Sequence, residues 1–317
     1  MWGNLHGWLI SAALAILILS PVAWLAGQSR MSAPTGIALD PENLEALAEP
    51  MSPDEAWPIF TDDSDAGPIY RQVIDSWTDD ADSACRQFVQ SPIGDLPAPI
   101  QSLISACHCR QMSLFTESLS DLINYQDTHP RLENLYAAGE WAYKAGLSLH
   151  QHGRNDAARP CLEAAFALGR QLHAERLDFD EYVKGVQLMA DAAAAMCRIE
   201  SPGSNLYRRL TDFQRLMSDY QDRRVTPIWE TISSVDASVI DRTAGDVLAM
   251  ATQCKERLWR VEATLKLGRY RYDAGSFGDQ VGAIHAVHLL TSDPDPAVAA
   301  AAVAAENLTI ETYRMIR

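Results

Sequence analysis

Basic side chains are scarce in this sequence. Its 317 residues include 26 Lys and Arg against 42 Asp and Glu, which gives a formal net charge of −16. A surface with this balance repels a phosphate backbone, and counterion release from nucleic acid requires clustered cations. We therefore expect no nucleic-acid partner.

The acidic excess is concentrated in the front of the chain. Residues 30–128 carry 4 Lys/Arg and 17 Asp/Glu, whereas residues 129–317 carry 22 and 25. Because 47% of the residues are hydrophobic, disorder throughout is excluded. The length fits one or two domains, each with a substantial core.

Short catalytic motifs are missing as well. No Gly-rich phosphate loop, HExxH helix or Gly-x-Ser-x-Gly elbow occurs in the sequence. The cysteines are too few and too scattered in so long a chain to indicate a disulfide framework; they are Cys85, Cys107, Cys109, Cys161, Cys197 and Cys254. From the sequence we assign no catalytic residue, no cofactor and no metal ligand.

One long run contains no charge at all, from Trp8 to Ala26. As a helix it spans about 28 Å, close to the hydrocarbon thickness of a bilayer. Trp2, Trp8 and Trp24 lie near its ends, where an indole prefers the membrane interface. The run predicts a single-pass transmembrane helix at residues 8–26, behind a short tail at residues 1–7, with the lipid bilayer as a partner.

A cleaved signal peptide is the alternative interpretation of this segment. A basic region is missing before the apolar run, and Trp24 stands where a small residue is expected near a cleavage site. The orientation rule counts Lys and Arg near the ends of the span, where only Arg30 is present. We expect the bulk of the chain to lie outside the cytoplasm.

Residues 27–66 are rich in Pro, Ser, Gly and Asp and predict an acidic tether that carries short helices. Asp40 before Pro41 fits an N-cap followed by proline at the first helical position. Ser52 and Glu55 have the spacing of a capping box. The tether is either a solvated spacer or a docking segment for a basic partner.

Residues 67–317 predict an all-helical domain, with a possible sub-boundary near residues 225–245. Apolar residues recur at helical spacing, and no stretch shows sustained two-residue alternation. Such stripes must pack on one another, and short loops favour antiparallel neighbours. The fold class is therefore all-α, an antiparallel helical-hairpin array or an irregular bundle behind the membrane helix.

Five stripes and a final helix pair carry this prediction. The first four stripes are Leu132, Leu135, Ala138, Ala142, Ala145 and Leu149; Ala158, Leu162, Ala165, Leu168 and Leu172; Val183, Val186, Ala190, Ala193 and Cys197; and Leu206, Leu210, Phe213, Met217 and Tyr220. The fifth, on one longer helix, is Val247, Met250, Cys254, Leu258, Val261, Leu265 and Gly268. The final pair is Asp279–Leu290 and Ala297–Met315, with Asp295 as N-cap and Pro296 as first helical residue.

Two segments resemble known repeat families, and a third resembles a group of bacterial proteins. Residues Ala142 to Arg170 resemble one tetratricopeptide-like hairpin, with small residues such as Gly146 where its helices approach closely. Asp293 to Val298 resembles the inter-helix turn of a HEAT repeat. The run Ala66-Gly67-Pro68-Ile69-Tyr70-Arg71 is similar to membrane-anchored helical proteins of bacteria. These resemblances imply a helical array and no particular activity.

The Cys107-His108-Cys109 cluster combines zinc-ligand types. Three adjacent side chains on a helix point in different directions, so buried thiols beside a histidine are the alternative interpretation. His150, His152 and His173 end two successive predicted helices and are expected near one edge of their hairpin. The helix dipole explains these positions without a metal.

The remaining polar clusters have simpler explanations. His285 and His288 share a helix face without a third ligand. The acid clusters Asp62–Asp65 and Asp79–Asp82 lack the spacing of a calcium loop, which favours solvated surface. Arginine-rich stretches at residues 208–224 and 257–271 predict polar faces of packed helices, with an electrostatic contact to the acidic front as a hypothesis.

These observations support three functional hypotheses. The first is a membrane-tethered helical protein-protein interaction or scaffold module without catalytic activity, with a protein partner. The second is an enzyme or metal-binding protein whose site assembles from dispersed His and Cys residues. The third is a structural envelope protein.

Overall fold

The computed structural model describes residues 51–114, 130–175, 179–226, 247–273 and 277–316, and this part of the chain is mostly helical with packed helix pairs. The predicted tail and transmembrane helix, Asp40 with Pro41, and nearly all of the possible sub-boundary lie outside these ranges. Among the helices that are described, none is both long enough and apolar enough to cross a membrane.

The first described group of elements is built from short helices and two short strands. Ser52 is the N-cap of the first helix, as predicted, but its hydroxyl accepts from the N–H of Asp54 instead of that of Glu55, the partner that a capping box uses. In chain order the elements are α1 (Pro53–Ala56), β1 (Asp62–Asp65), α2 (Gly67–Ser76), α3 (Asp79–Gln90), α4 (Ala98–Ala106) and β2 (Cys109–Gln111).

The last part of the predicted tether is packed structure rather than solvated spacer. Ala56, Trp57, Ile59 and Phe60 are buried, and the Trp57 ring lies 5.1 Å from that of Phe166. These apolar side chains stand among acidic residues, so the average composition of the stretch resembles that of a solvated spacer. The packed domain therefore begins ahead of the predicted boundary at residue 67.

The pairing of β1 with β2 contradicts the expectation that the domain contains no strands. The two strands are parallel, with Asp62 opposite Cys109 and Asp65 opposite Gln111. Strands of four and three residues are too short to show alternation in a sequence. Three helices, α2 to α4, form the connection between them, which parallel pairing requires.

Two long helices come next, α5 (Pro130–Gln151) and α6 (Asn155–Glu175). Every residue of their two predicted stripes is buried, so these predictions are confirmed. Gly153 ends α5 in the left-handed region, with φ of +73°, and Arg154 donates back to the carbonyl of Leu149. Gly146 sits against Leu162, and Gly139 sits against Leu168, which shows that the two helices are antiparallel.

Helix α7 (Phe179–Ile199) packs against α6 through a glycine pair. A Cβ atom added to Gly169 would lie 2.7 Å from the carbonyl oxygen of Gly185, and one added to Gly185 would lie 2.7 Å from the N atom of His173. Only glycine allows backbones to come this close. The α6–α7 packing is therefore fixed by these two residues.

The stripe predicted on α7 is partly wrong. Val183 is 39% exposed, whereas Tyr182, Met189 and Met196 are buried. Helix α7 contacts α5, α6 and α8 (Asn205–Tyr220), so a broad face is covered instead of a single line of residues. On α8 the prediction is better, because Leu210, Phe213 and Met217 are buried while Leu206 and Tyr220 are half-buried. A five-residue π-helical segment, Gln221–Val225, continues α8.

The back of the chain forms a second group of packed helices. Residues 247–253 are helical, and the predicted longer helix is interrupted at Cys254 before α9 (Arg257–Asp273) begins. The Arg260 side chain donates to the carbonyl of Ala251, which satisfies an acceptor at this break. The remaining helices are α10 (Phe277–Leu290), α11 (Pro296–Asn307) and α12 (Ile310–Ile316).

The start of α11 and its end can both be compared with the sequence prediction. Asp295 caps α11 by accepting from the N–H of Ala297, with Pro296 in the first turn, as predicted. The predicted helix from Ala297 to Met315 is divided, because the Thr309 hydroxyl accepts from the N–H of Thr312 and starts a new helix.

The arginines of α9 pair within their own group of helices. Arg257 Nε lies 3.0 Å from Asp295 Oδ2, and Arg260 bonds the buried Asp293. Both acids belong to the turn between α10 and α11. This turn is therefore held by charges from α9 as well as by its two prolines.

Replacing Gly169 with alanine tests the α6–α7 contact. The added Cβ would lie 2.7 Å from Gly185 O and 2.9 Å from the N atom of Met189, so the helices must separate. We expect a loss of about 1–3 kcal/mol in the free energy of unfolding, measured by urea denaturation of the full-length protein. Gly282→Ala is the matched control. No atom lies within 4 Å of its new Cβ, so equal or slightly higher stability is expected. Equal stability of both variants would contradict the backbone contact.

Candidate functional site

The Cys107-His108-Cys109 cluster does not lie on one helix, contrary to the sequence prediction. Cys107 caps the end of α4, His108 lies in the turn, and Cys109 begins β2. The Nδ1 atom of the exposed His108 is 3.0 Å from the carbonyl oxygen of Ile59. The chain leaves the helix here because β2 must reach β1.

Both thiols of this cluster are buried. The Ser64 hydroxyl lies 3.1 Å from the Sγ atom of Cys109. Burial, with smaller contributions from Glu163 and Cys109, raises the pKa of Cys107 to about 12. A thiol held in its protonated form is a poor metal ligand and a poor nucleophile. The two thiols are therefore core side chains, whereas His108 is exposed.

The three hairpin histidines are not together, and the expectation of one shared edge is wrong. His150 and His152 end α5, whereas His173 lies at the end of α6. Because the two helices are antiparallel and α6 has 21 residues, these ends are about 30 Å apart. His150 Nδ1 is 2.8 Å from Asn155 Oδ1, and His173 is buried against the Tyr182 ring.

The acidic clusters belong to regular elements. Asp62–Asp65 forms β1, where Asp63 pairs with Arg110 at 3.2 Å. Asp79–Asp82 opens α3, where acid suits the helix dipole, and Asp82 also accepts from the indole N–H of Trp141 at 2.8 Å. Within the described ranges no three His, Cys, Asp or Glu side chains are grouped to hold a metal ion.

A buried polar network surrounds β2 and the residues that follow it, 109–114. The Tyr70 hydroxyl donates to Gln171 Oε1, and Gln171 Nε2 donates to the carbonyl oxygen of Cys109 at 2.7 Å. Burial, with Cys107 and Cys109 nearby, raises the pKa of Tyr70 well above its usual value. Tyr70 therefore stays a neutral donor, and this pair of bonds ties α2, α6 and β2 together.

Asp65 and Arg71 hold the next residues of the same segment. Partial burial would raise the pKa of Asp65, but the N–H groups of Gly67 and Ser113, each 2.8 Å from its Oδ1, outweigh this effect and lower the pKa. Arg71 Nη1 donates to the carbonyl oxygens of Ser113 and Leu114 at 2.5 and 3.2 Å. A Cβ on Gly67 would overlap the Ser113 carbonyl, so glycine is required here.

Glu175 is the unusual member of this network. It is the last residue of α6, and its carboxylate accepts from the N–H of Leu114. Its Oε2 atom is buried, and no donor from the described part of the chain reaches it. Burial, helped by Asp65 and opposed by Leu114 and Arg257, raises the pKa of Glu175 to about 7. A carboxyl group in this state exchanges a proton near neutral pH.

Sequence reasoning missed this network. Its members come from β1, α2, β2 and α6, which are distant in the chain. The available signal was on α6, where Gln171 and Glu175 stand four residues apart beside the stripe residues Leu168 and Leu172. A polar pair at the edge of an apolar face indicates a buried polar contact.

A second feature is the outer side of α10, which we term the α10 face. It consists of exposed residues at the spacing i, i+3, i+4, i+7 and i+8, namely Val281, Ile284, His285, His288 and Leu289. The exposed fractions of the three apolar members are 48%, 40% and 61%. His288 Nδ1 is 2.6 Å from Glu306 Oε1, which fixes the ring against α11.

The opposite side of α10 is the buried one. Ala283, Ala286, Val287 and Leu290 pack against α9 and α11. The helix is thus apolar on two sides, and in the part of the chain that the structure describes only one of them is packed. The predicted shared face of His285 and His288 is real, and its neighbours on that face are apolar side chains rather than ligands.

No protein-family model, curated protein or solved structure matches this chain. The close helix approach at Gly146 is present in the structure. No comparison supports the resemblance of this hairpin to the tetratricopeptide family, or that of the Asp293 turn to HEAT repeats. Any functional assignment therefore rests on the geometry of the chain itself.

The titration of Glu175 gives a testable pH dependence. The folded protein holds a proton up to pH about 7, whereas the unfolded chain releases it near the ordinary value of 4.5. This contribution to stability is therefore complete below pH 4.5 and is lost as the pH rises through 7. The Glu175→Gln variant cannot ionise, so we expect it to gain on the order of 2 kcal/mol over the wild type between pH 5 and pH 8. Urea unfolding at both pH values measures this difference.

The exposed Glu311→Gln variant is the control, and its pH dependence should match that of the wild type. Parallel stability curves for Glu175→Gln and the wild type would show that the carboxyl group titrates normally.

Proposed function

We propose that this protein is a membrane-tethered helical interaction module that binds a protein partner through the α10 face, without catalytic activity. Residues 8–26 form the anchor, and the array of packed helices carries the binding surface outside the cytoplasm. The proposal is supported by the exposed α10 face, in which three of the five residues are apolar and two are histidines.

The pattern of this stripe is that of a buried surface. Spacing of i, i+3, i+4, i+7 and i+8 is what a helix uses to pack against a neighbour. Isolated exposed apolar residues are ordinary, but a continuous stripe marks an interaction site. No charged residue occurs from Val281 to Leu290, so association would remove apolar area from water without burying a charge on this helix.

A protein surface fits this face better than a bilayer does. Helices that lie in a membrane interface carry Lys and Arg on the polar side, where they meet anionic headgroups. Helix α10 contains no Lys or Arg and one acid, Asp279. A partner helix with its own apolar stripe matches both the shape and the lack of charge.

The enzyme hypothesis requires dispersed His and Cys residues to converge. In the described residues, Cys107 and Cys109 are core thiols, and the histidines lie at different ends of their hairpin. The envelope hypothesis requires no partner at all, and a crosslinking experiment distinguishes it from a binding module.

Site-specific photo-crosslinking tests the α10 face. A photoreactive amino acid at Leu289 of the full-length protein should give one discrete protein adduct in native membranes, and Ile284→Asp should abolish it. The matched control places the same group at Ile93, which is 83% exposed in the loop between α3 and α4 and should give no such adduct. Adducts of twice the chain mass would indicate a second copy, and lipid adducts would indicate the bilayer. Either result, or none at Leu289, contradicts the proposal.

Removing residues 1–30 tests the anchor. The full-length protein should remain in the membrane pellet after an alkaline wash, because a helix of about 28 Å crosses the hydrocarbon core. The truncated protein should be found in the supernatant with unchanged helical circular dichroism. Release of the full-length protein by the wash would rule out a transmembrane anchor.

A further inference from the structure

The α10 face contains two histidines whose surroundings differ. Both rings are exposed, and they lie one turn apart on the same side of the helix. His288 Nδ1 is 2.6 Å from Glu306 Oε1, so a carboxylate accompanies this ring. Within the described ranges no hydrogen bond or ion pair reaches the ring of His285. A proton taken up by His288 is therefore matched by a negative charge, whereas one taken up by His285 is not.

The elements packed against α10 supply no counter-charge to the second ring. Helices α9 and α11 cover the opposite, buried side of α10, and Glu306 is the one charged residue of α11. The acids of the turn between α10 and α11 are already paired, Asp293 with Arg260 and Asp295 with Arg257.

The remaining described charged side chains of α9 do not balance it either. They are Glu262, Lys266, Arg269 and Arg271. Three of them are basic, and Glu262 accepts from the backbone N–H of Phe179 on α7 at 3.0 Å. The acid of α10 itself, Asp279, precedes His285 by six residues, about 9 Å along the helix axis.

Covering the face makes this difference matter. Histidine is the side chain that takes up a proton between pH 8 and pH 5. While the face is in water, a charged ring is solvated at little cost. When a partner covers the face, a charged ring must leave water, which is unfavourable unless the charge is paired. His288 brings Glu306 with it and His285 brings no acid, so a covering partner selects the neutral form of His285.

We propose that proton uptake by His285 releases the partner from the α10 face, so that the face binds at neutral pH and is free at acidic pH. This inference rests on the proposed function and adds the condition under which the face binds. The partner covers the ring with apolar surface and places no carboxylate opposite it, because the neighbours of the ring on this face are Val281, Ile284 and Leu289. Glu306 prevents His288 from responding in the same way.

Photo-crosslinking from Leu289 of the full-length protein in native membranes, at pH 7.5 and at pH 5.5, tests this inference. Excluding one proton from the complex weakens association about tenfold over this range, and the adduct yield should fall by up to that factor. The His285→Gln variant takes up no proton, so its yield at pH 5.5 should equal its own yield at pH 7.5. The control is His152→Gln, which removes an exposed histidine at the end of α5 and should keep the wild-type profile.

Removing the carboxylate of Glu306 should increase the pH dependence. In Glu306→Gln the charge of a protonated His288 is no longer matched, so two protons are excluded and the yield should fall by up to about a hundredfold. The double variant His285→Gln with Glu306→Gln should show a fall of about tenfold again, because His288 alone now responds. A structural role of either side chain would not produce this pattern.

The outcomes separate this inference from the proposed function. No adduct at either pH would contradict both. An adduct of equal yield at both pH values in the wild type would overturn the inference and leave the proposed function standing. A fall that persists in His285→Gln would also overturn it, because the titrating group would lie elsewhere, and so would a higher yield at pH 5.5, because the partner would then place an acid opposite His285. Helical circular dichroism of the full-length protein should be the same at both pH values, and its loss at pH 5.5 would show release by unfolding instead.

Discussion

The backbone contact between α6 and α7 at Gly169 and Gly185 sets how closely the two helices pack. With a side chain at either position the helices could not come this close, and α6 would move relative to its other neighbours. Those neighbours are α4 and α5, so one pair of glycines fixes the position of a helix that is covered on several sides. The cost is two residues of low helix propensity, which the extended contact between the two helices offsets.

The same helix also carries the side chains that attach the front of the domain. Arg170 binds Asp54 of α1 at 3.0 Å, donates to the carbonyl of Arg110, and stacks 4.4 Å from the Phe60 ring. Gln171 and Glu175 hold the segment that leaves β2. The short front elements are thus attached to α6 as well as to one another. This explains how a stretch with the composition of a spacer forms part of the core.

The parts of the fold that can be predicted from sequence are the helices with a single covered side. The stripes on α5 and α6 are predicted residue by residue because apolar positions there coincide with burial. On α7 and α10 apolar spacing does not predict burial. Helix α7 is covered from several directions, and α10 is apolar on a side that stays exposed. The short strands, the breaks at Cys254 and Thr309, and the network around Glu175 arise from contacts between distant residues. A local pattern contains no information about such contacts.

The parallel pairing of β1 with β2 has a mechanical consequence. Tension applied from the N-terminal side reaches Met51, then α1, and then pulls β1 along its own axis towards its beginning. Because β2 runs in the same direction and is held by the chain after it, the two strands are loaded in shear, so that their hydrogen bonds resist together instead of opening one after another. Asp65, Arg71 and Tyr70 clamp the strand ends at the same place. A pull from that side would therefore load the contacts of α1 with α6, at Asp54 and Trp57, and then this sheet.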